Sequence, residues 1–177
     1  MSAYQSVTTL KRFVITGTSG TGKTALVNEL RSIGTECFEE AGRKILTSGS
    51  ELAKKDADVF VREMLSQSLS DYQAASPTGI TIFDRGIPDT IAYAFRFGVP
   101  LTEFEEASRT YRYEDLVFVT PPWSEIFQND AVRRAPFEDY ERFHDLILET
   151  YGELGYKLLE IPKLPVHERV EFVQSYI

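Results

Sequence analysis

Short apolar runs, each bounded by turn residues, recur along the chain with amphipathic stretches between them. That alternation is the mark of βα units wound into a parallel sheet. Five runs read as strands: Arg12 to Thr16, Thr35 to Phe38, Thr78 to Asp84, Leu116 to Thr120 and Lys157 to Ile161. Tyr140, Phe143, Ile147, Tyr151 and Leu154 fall on one face at helical periodicity, and Gly155 supplies the stop before the last strand. Val61, Leu65, Leu69 and Tyr72 mark another amphipathic helix before the third strand. A further helix is expected from Thr102 to about Thr110, with Thr102 and Glu105 at the spacing of a capping box just after Pro100. These stripes read as core. With no Pro/Gly-rich linker between halves, residues 1–177 are expected to form one α/β domain.

At 177 residues the chain can bury a continuous core without staples, and its 42% hydrophobic and 26% charged composition is that of a globular protein. The single Cys37 excludes a disulfide framework and any Cys-rich zinc site; it reads as a small buried residue at a strand end. His144 and His167 have no third partner at metal-ligand spacing. No run approaches the roughly 18 apolar residues of a membrane span, and Met1 to Lys11 lacks the basic start and apolar stretch of a signal peptide. Cytoplasm is the expected compartment. Net charge is −8, from 27 acidic against 19 basic side chains, so no global field favours a nucleic-acid polymer. If such a chain binds a phosphorylated ligand, positive charge must be brought in locally.

It is brought in at Gly17-Thr18-Ser19-Gly20-Thr21-Gly22-Lys23-Thr24, which fits G-x-x-x-x-G-K-[ST] and follows the apolar strand Phe13-Val14-Ile15. Several backbone N–H groups must point into one concavity to hold a β/γ-phosphate pair, and Gly17, Gly20 and Gly22 tolerate the conformations this needs. The helix that begins near Lys23 aims its positive end at the same anion. Lys23 can reach the β/γ oxygens, and the Thr24 hydroxyl can ligate Mg²⁺.

Thr81-Ile82-Phe83-Asp84-Arg85-Gly86 reads as a buried strand delivering an acid to the carboxyl edge of the sheet, where open α/β sheets bind ligands. Asp84 can hold the hydration shell of Mg²⁺, act as general base, or cap the helix that starts near Pro88. Arg85 follows it where many hydrolytic ATPases carry a second acid, which disfavours a motor. No Asn/Thr-Lys-x-Asp segment marks guanine recognition, so ATP is the expected donor.

The phosphate loop, Phe38-Glu39-Glu40-Ala41-Gly42-Arg43, Phe83-Asp84-Arg85-Gly86, and Pro122-Trp123 through Asp130-Ala131-Val132-Arg133-Arg134 together carry a resemblance over nearly the whole chain. The sequence resembles the P-loop small-molecule kinases related to ribosylnicotinamide kinase, a group also described as an AAA-type ATPase domain, with kinship to deoxynucleoside and nucleoside monophosphate kinases. The resemblance implies a three-layer P-loop NTPase fold with a parallel five-stranded sheet in the order 2-3-1-4-5 and a small helical lid at about 122–136. Glu39 and Glu40 follow a strand at the same sheet edge as Asp84, so one could hydrogen-bond or deprotonate an acceptor hydroxyl; the other reading is a solvated acidic pair opening a helix. Arg43, one helical turn after Glu39 and so expected on the same helix face, could bind the acceptor, and Arg85 could do so or steady the phosphates. In the lid, the resemblance makes Arg133 and Arg134 candidates to stabilise the charge on the moving phosphoryl group. Trp123, beside two prolines, reads as a packing anchor.

The expected function is therefore an ATP- and Mg²⁺-dependent phosphotransferase acting on a nucleoside-like or nucleotide-like small molecule, with homodimerisation left open. A nucleotide-dependent switch or adaptor that hydrolyses ATP or GTP slowly is the alternative, since one P-loop fold hosts many functions. A partner-activated ATPase is a third.

Overall fold

A computed structural model describes residues 10–48, 50–127 and 136–177. Its strands are β1 (Lys11–Thr16), β2 (Glu36–Phe38), β3 (Ile80–Asp84), β4 (Leu116–Val119) and β5 (Lys157–Glu160). All pair in parallel, in the order β2-β3-β1-β4-β5, the order of a P-loop NTPase fold. The strands lie where the apolar runs place them. Only β3 starts clearly later than expected, because Gly79 turns the chain at φ 88° and its carbonyl accepts the Lys11 N–H at 2.9 Å before the ladder begins.

The helices are α1 (Lys23–Ser32), α2 (Ala41–Thr47), α3 (Ala57–Ala74), α4 (Ile87–Phe97), α5 (Thr102–Thr110), α6 (Phe137–Glu153) and α7 (Val166–Gln174). Side chains alternate across a strand, so β1 feeds two cores. Phe13 and Ile15 pack with Ile82 and Phe118 against Leu26 and Leu30 of α1 and Val170 and Val173 of α7. Val14, Phe83 and Val117 face the other way, against Val61 and Leu65 of α3, Ile87 of α4 and the Phe143, Ile147, Tyr151 stripe of α6. Each fully buried aliphatic or aromatic side chain removes apolar area worth about 1.5–3 kcal/mol. The result is three layers, with the carboxyl edges of β1 and β3 side by side.

Thr102 does not cap α5: Leu101 holds that position in helical conformation, no side chain caps the helix, and Glu105 N–H bonds to the Leu101 carbonyl at 3.0 Å. Thr102 is thus already the first helical residue. Cys37 lies in the middle of β2 and is half-buried, with burial pushing its thiol up to about 11. After Ile161 the chain adds α7, a helix not expected from the sequence although Val166, Val170 and Val173 have amphipathic spacing. The expected lid falls largely on residues 128–135, outside the described residues; its preceding part turns at Trp123, whose carbonyl accepts the N–H groups of Ile126 and Phe127 at 3.3 and 3.0 Å.

Candidate active site

Between β1 and α1 the backbone turns through Gly17 (φ 131°), Gly20 (φ 83°) and Gly22 (φ 77°). Gly17 is required twice over: a Cβ there would be strained in φ and would stand 2.4 Å from the Thr120 carbonyl oxygen. Thr120 then ties the loop to the sheet, donating to the Thr16 carbonyl at 3.0 Å and sharing a 2.7 Å hydrogen bond with the Thr21 hydroxyl. α1 begins after Gly22 with no side-chain cap and no acid in its first turn, so its N–H groups and dipole are left for an anion. Lys23 curls back over the loop, its ammonium donating to the carbonyls of Gly17 at 2.8 Å and Thr18 at 2.5 Å. Burial, then the charge of Arg85, lowers its pKa to about 8.

At the end of β3, beside β1 in the Ile15↔Asp84 register, Asp84 is 4% exposed. Its Oδ1 has no hydrogen-bond partner among the described residues. Burial raises its pKa to about 6, with Lys23 opposing that shift. Asp84 does not cap α4. Asp89 does, accepting the Gly86 N–H at 2.8 Å. A buried carboxylate oxygen with no partner among the described residues, at the strand end next to β1, and a threonine hydroxyl in the first turn of α1 are the kind of oxygen donors a hard cation takes. Asp84 and Thr24 therefore fit Mg²⁺.

Arg85 is held in the left-handed region, φ 71°, where an L side chain is strained. What over-determines it is a ring of acceptors: Nε to Glu40 Oε1 at 3.0 Å, Nη1 to the Gly17 carbonyl at 2.7 Å, and Nη1 to Asp89 Oδ1 at 3.3 Å. Its Nη2 is buried with no partner among the described residues. Asp89 also accepts from the hydroxyls of Thr16 at 2.6 Å and Tyr151 at 2.7 Å, joining β1, α4 and α6.

Between Glu39 and Glu40 the structure distinguishes clearly. Glu39 has 58% of its side chain exposed and pairs with Arg31 at 3.4 Å; Glu40 has 16% exposed and faces Arg85. Burial acts to raise the Glu40 pKa, but Arg85 and Lys23 hold it below the ordinary value. Arg43 does not share a helix face with Glu39, because α2 starts only at Ala41; it instead lines, with Glu40, an open cleft of 710 Å³. Ser19, Gly20, Gly22, Lys23 and Thr24 form one wall, and Phe60, Tyr93, Ile126 and Tyr140 add an apolar rim. That volume suits a small-molecule site. Arg133 and Arg134 lie outside the described residues.

Asp89, Tyr93 and Tyr140 were not among the residues expected at the site. Asp89 had a readable signal, an acid three residues after Gly86 at the start of a helix. Tyr93 had none beyond its place in α4, and Tyr140 was assigned to the core stripe although its side chain reaches the cleft.

Residues 12–169 match the family model described as an AAA domain. No curated protein matches the chain. Among solved structures, NadR protein in complex with NR superposes with a TM-score of 0.69 at 23% identity, over 94% of this chain and 51% of that one. A deoxyadenosine kinase from M. mycoides with bound dATP gives 0.62 at 16% identity, over 93% and 97% of the two chains. A thymidylate kinase from Ehrlichia chaffeensis gives 0.63 at 19% identity, over 94% and 99%. Likeness at these identities establishes the fold, and the chain spans about half the length of the NadR structure it matches. Among the described residues no helix is long and apolar enough to cross a membrane.

Proposed function

Since the chain belongs to the AAA domain family, we propose that it is a cytoplasmic ATP- and Mg²⁺-dependent phosphotransferase acting on a nucleoside-like or nucleotide-like acceptor. One observation carries this reading. The phosphate loop forms one wall of a cleft whose other walls hold a separate acid and cation, Glu40 and Arg43, with Glu40 anchored by Arg85 behind it and room for a second small molecule. A site built only to hydrolyse a triphosphate has no use for the second set.

In this reading Gly17 to Thr24 bind the triphosphate of ATP through backbone N–H groups, and Lys23 swings from the loop carbonyls to the β/γ oxygens. Mg²⁺, held by Thr24 and Asp84, would neutralise phosphate charge. Glu40, oriented by Arg85, accepts the proton of the acceptor hydroxyl as that oxygen bonds to the γ-phosphorus and ADP leaves. Arg85 Nη2 and Arg43 bind the acceptor or the transferred group, and Arg133 and Arg134 supply further positive charge as the transition state forms. Tyr93, Phe60 and Tyr140 offer aromatic surface to a base or ring.

The test is acceptor-dependent release of ADP. Purified chain is incubated with Mg·ATP and a panel of nucleosides, nucleotides and ribosylnicotinamide, and phosphorylated product is identified by mass. Product from at least one acceptor is expected. Tight nucleotide binding with no acceptor-stimulated turnover would point to the switch or adaptor reading instead.

A further inference from the structure

Three buried cations surround the phosphate loop, and their surroundings differ. Lys23 feels the charges of Asp84 and Glu40, and Arg85 pairs directly with Glu40 and Asp89. Arg169, in the first turn of α7, is 6% exposed and makes no ion pair among the described residues. Its Nε has no hydrogen-bond partner there, its Nη1 reaches the Gly22 carbonyl at 3.4 Å, and its guanidinium lies 5.7 Å from the centre of the Trp123 ring. A Cβ at Gly22 would stand 3.0 Å from Nη1, 3.2 Å from Nη2 and 3.4 Å from the Ile126 side chain, so the guanidinium is pressed against the loop backbone itself. An aromatic face, a carbonyl and an aliphatic side chain hold it; none of them is an anion. A buried charge without a counter-charge is costly, and the free protein carries that cost.

We propose that Arg169 is a positioning residue of the phosphate site, acting through Gly22 and supplying a fixed positive charge whose anionic counterpart is the phosphate chain of the bound nucleotide. The inference rests on the phosphotransferase reading and goes beyond it. The carbonyl of Gly22 and the N–H of Lys23 belong to one trans peptide and point in opposite directions. That carbonyl also accepts the Leu26 N–H at 3.2 Å as the first bond of α1, so the helix and the guanidinium together hold it away from the loop and leave the Lys23 N–H turned to the concavity. The guanidinium's charge sits one backbone's thickness behind that concavity and adds to the positive end of α1. Trp123, expected only to anchor packing, becomes the face that keeps the guanidinium in place.

The experiment compares wild type with R169M and R169K by calorimetric titration of Mg·ATP and by thermal unfolding without ligand. Arg169→Met is expected to weaken Mg·ATP binding by on the order of tenfold, about one decade of Kd, while the ligand-free Tm stays level or rises because an uncompensated buried charge is gone. Arg169→Lys, which keeps the charge, is expected to hold most of the affinity. Wild-type affinity in R169M, or an affinity loss that follows a fall in ligand-free Tm and is not rescued by R169K, overturns the proposal. If R169M does not fold, the Arg169 Nε–H resonance of the wild type decides: it is expected to shift with Mg·ATP and not with adenosine, and a resonance that ignores Mg·ATP overturns the proposal. A wild type that binds no Mg·ATP overturns the phosphotransferase reading together with this one, whereas binding that R169M leaves unchanged removes this one alone.

Discussion

The hydroxyl of Tyr151 donates to Asp89 Oδ2 at 2.7 Å, linking α6 to α4 across 62 residues of sequence. The same carboxylate receives Thr16, Gly86 and Arg85, so the packing of α6 is wired to the residue that carries the strained backbone at the site. Tyr151→Phe removes one hydroxyl and little volume, leaving a buried acceptor short of a donor. The expected loss of stability is about 1–3 kcal/mol, read by chemical denaturation. A stability equal to wild type would mean the hydrogen bond has no net value.

Lys23→Ala should leave the fold intact, since among the described residues the ammonium bonds only to loop carbonyls and the Thr21 hydroxyl. Turnover should fall by about 10²–10³-fold, the usual cost of deleting one donor aimed at developing charge. Steady-state kinetics together with a melting curve check both halves. Unchanged turnover would show that the loop does not hold a triphosphate.

The two adjacent glutamates should behave differently, because only Glu40 faces Arg85 and the cleft. Glu40→Gln is expected to lower acceptor-dependent turnover by about 10²–10⁴-fold, with Mg·ATP affinity little changed. Glu39→Gln, on the exposed side with Arg31, should leave turnover within about twofold. Equal losses in both variants would defeat the assignment of roles.

Asp84 predicts a pH dependence of stability in the ligand-free protein. Its carboxyl holds a proton up to about pH 6 in the folded state and releases it near the ordinary carboxylate value when unfolded. Between those limits the folded chain binds more protons, so this group's contribution to stability is greatest below the unfolded pKa and is lost as pH rises through about 6. Asp84→Asn should remove that decline, raise Tm at pH 7 without Mg·ATP, and abolish Mg²⁺-dependent turnover. Thermal unfolding across pH 4–8 gives the answer, flat curves for both proteins being the outcome that sinks it.

Much of this fold can be read from local pattern. The apolar runs locate the inner strands β3, β1 and β4 because a parallel strand covered on both faces is largely apolar, the half-buried or exposed edge strands β2 and β5 carry only two apolar residues each, and the Tyr140 to Leu154 stripe locates α6 because one face of a helix repeats at fixed spacing. The phosphate loop is legible for the same reason: its work is done by neighbouring backbone groups, so glycines at fixed intervals before Lys23-Thr24 are sufficient signal. Asp84 is legible because a strand leads straight to it.

The acceptor side of the cleft is a different matter. Glu40 and Glu39 are equivalent in sequence, and the choice between them depends on Arg85, 45 residues from Glu40. Asp89 gains its role from Thr16 and Tyr151, and Arg169 from a loop 147 residues before it. By itself the sequence determined the order of elements, the phosphate loop and the acid at the end of β3, all set by interactions between near neighbours. The tertiary structure alone decided which charges meet. Long-range ion pairs and hydrogen bonds exist only once the sheet has brought distant strand ends together, and no periodicity along the chain records them.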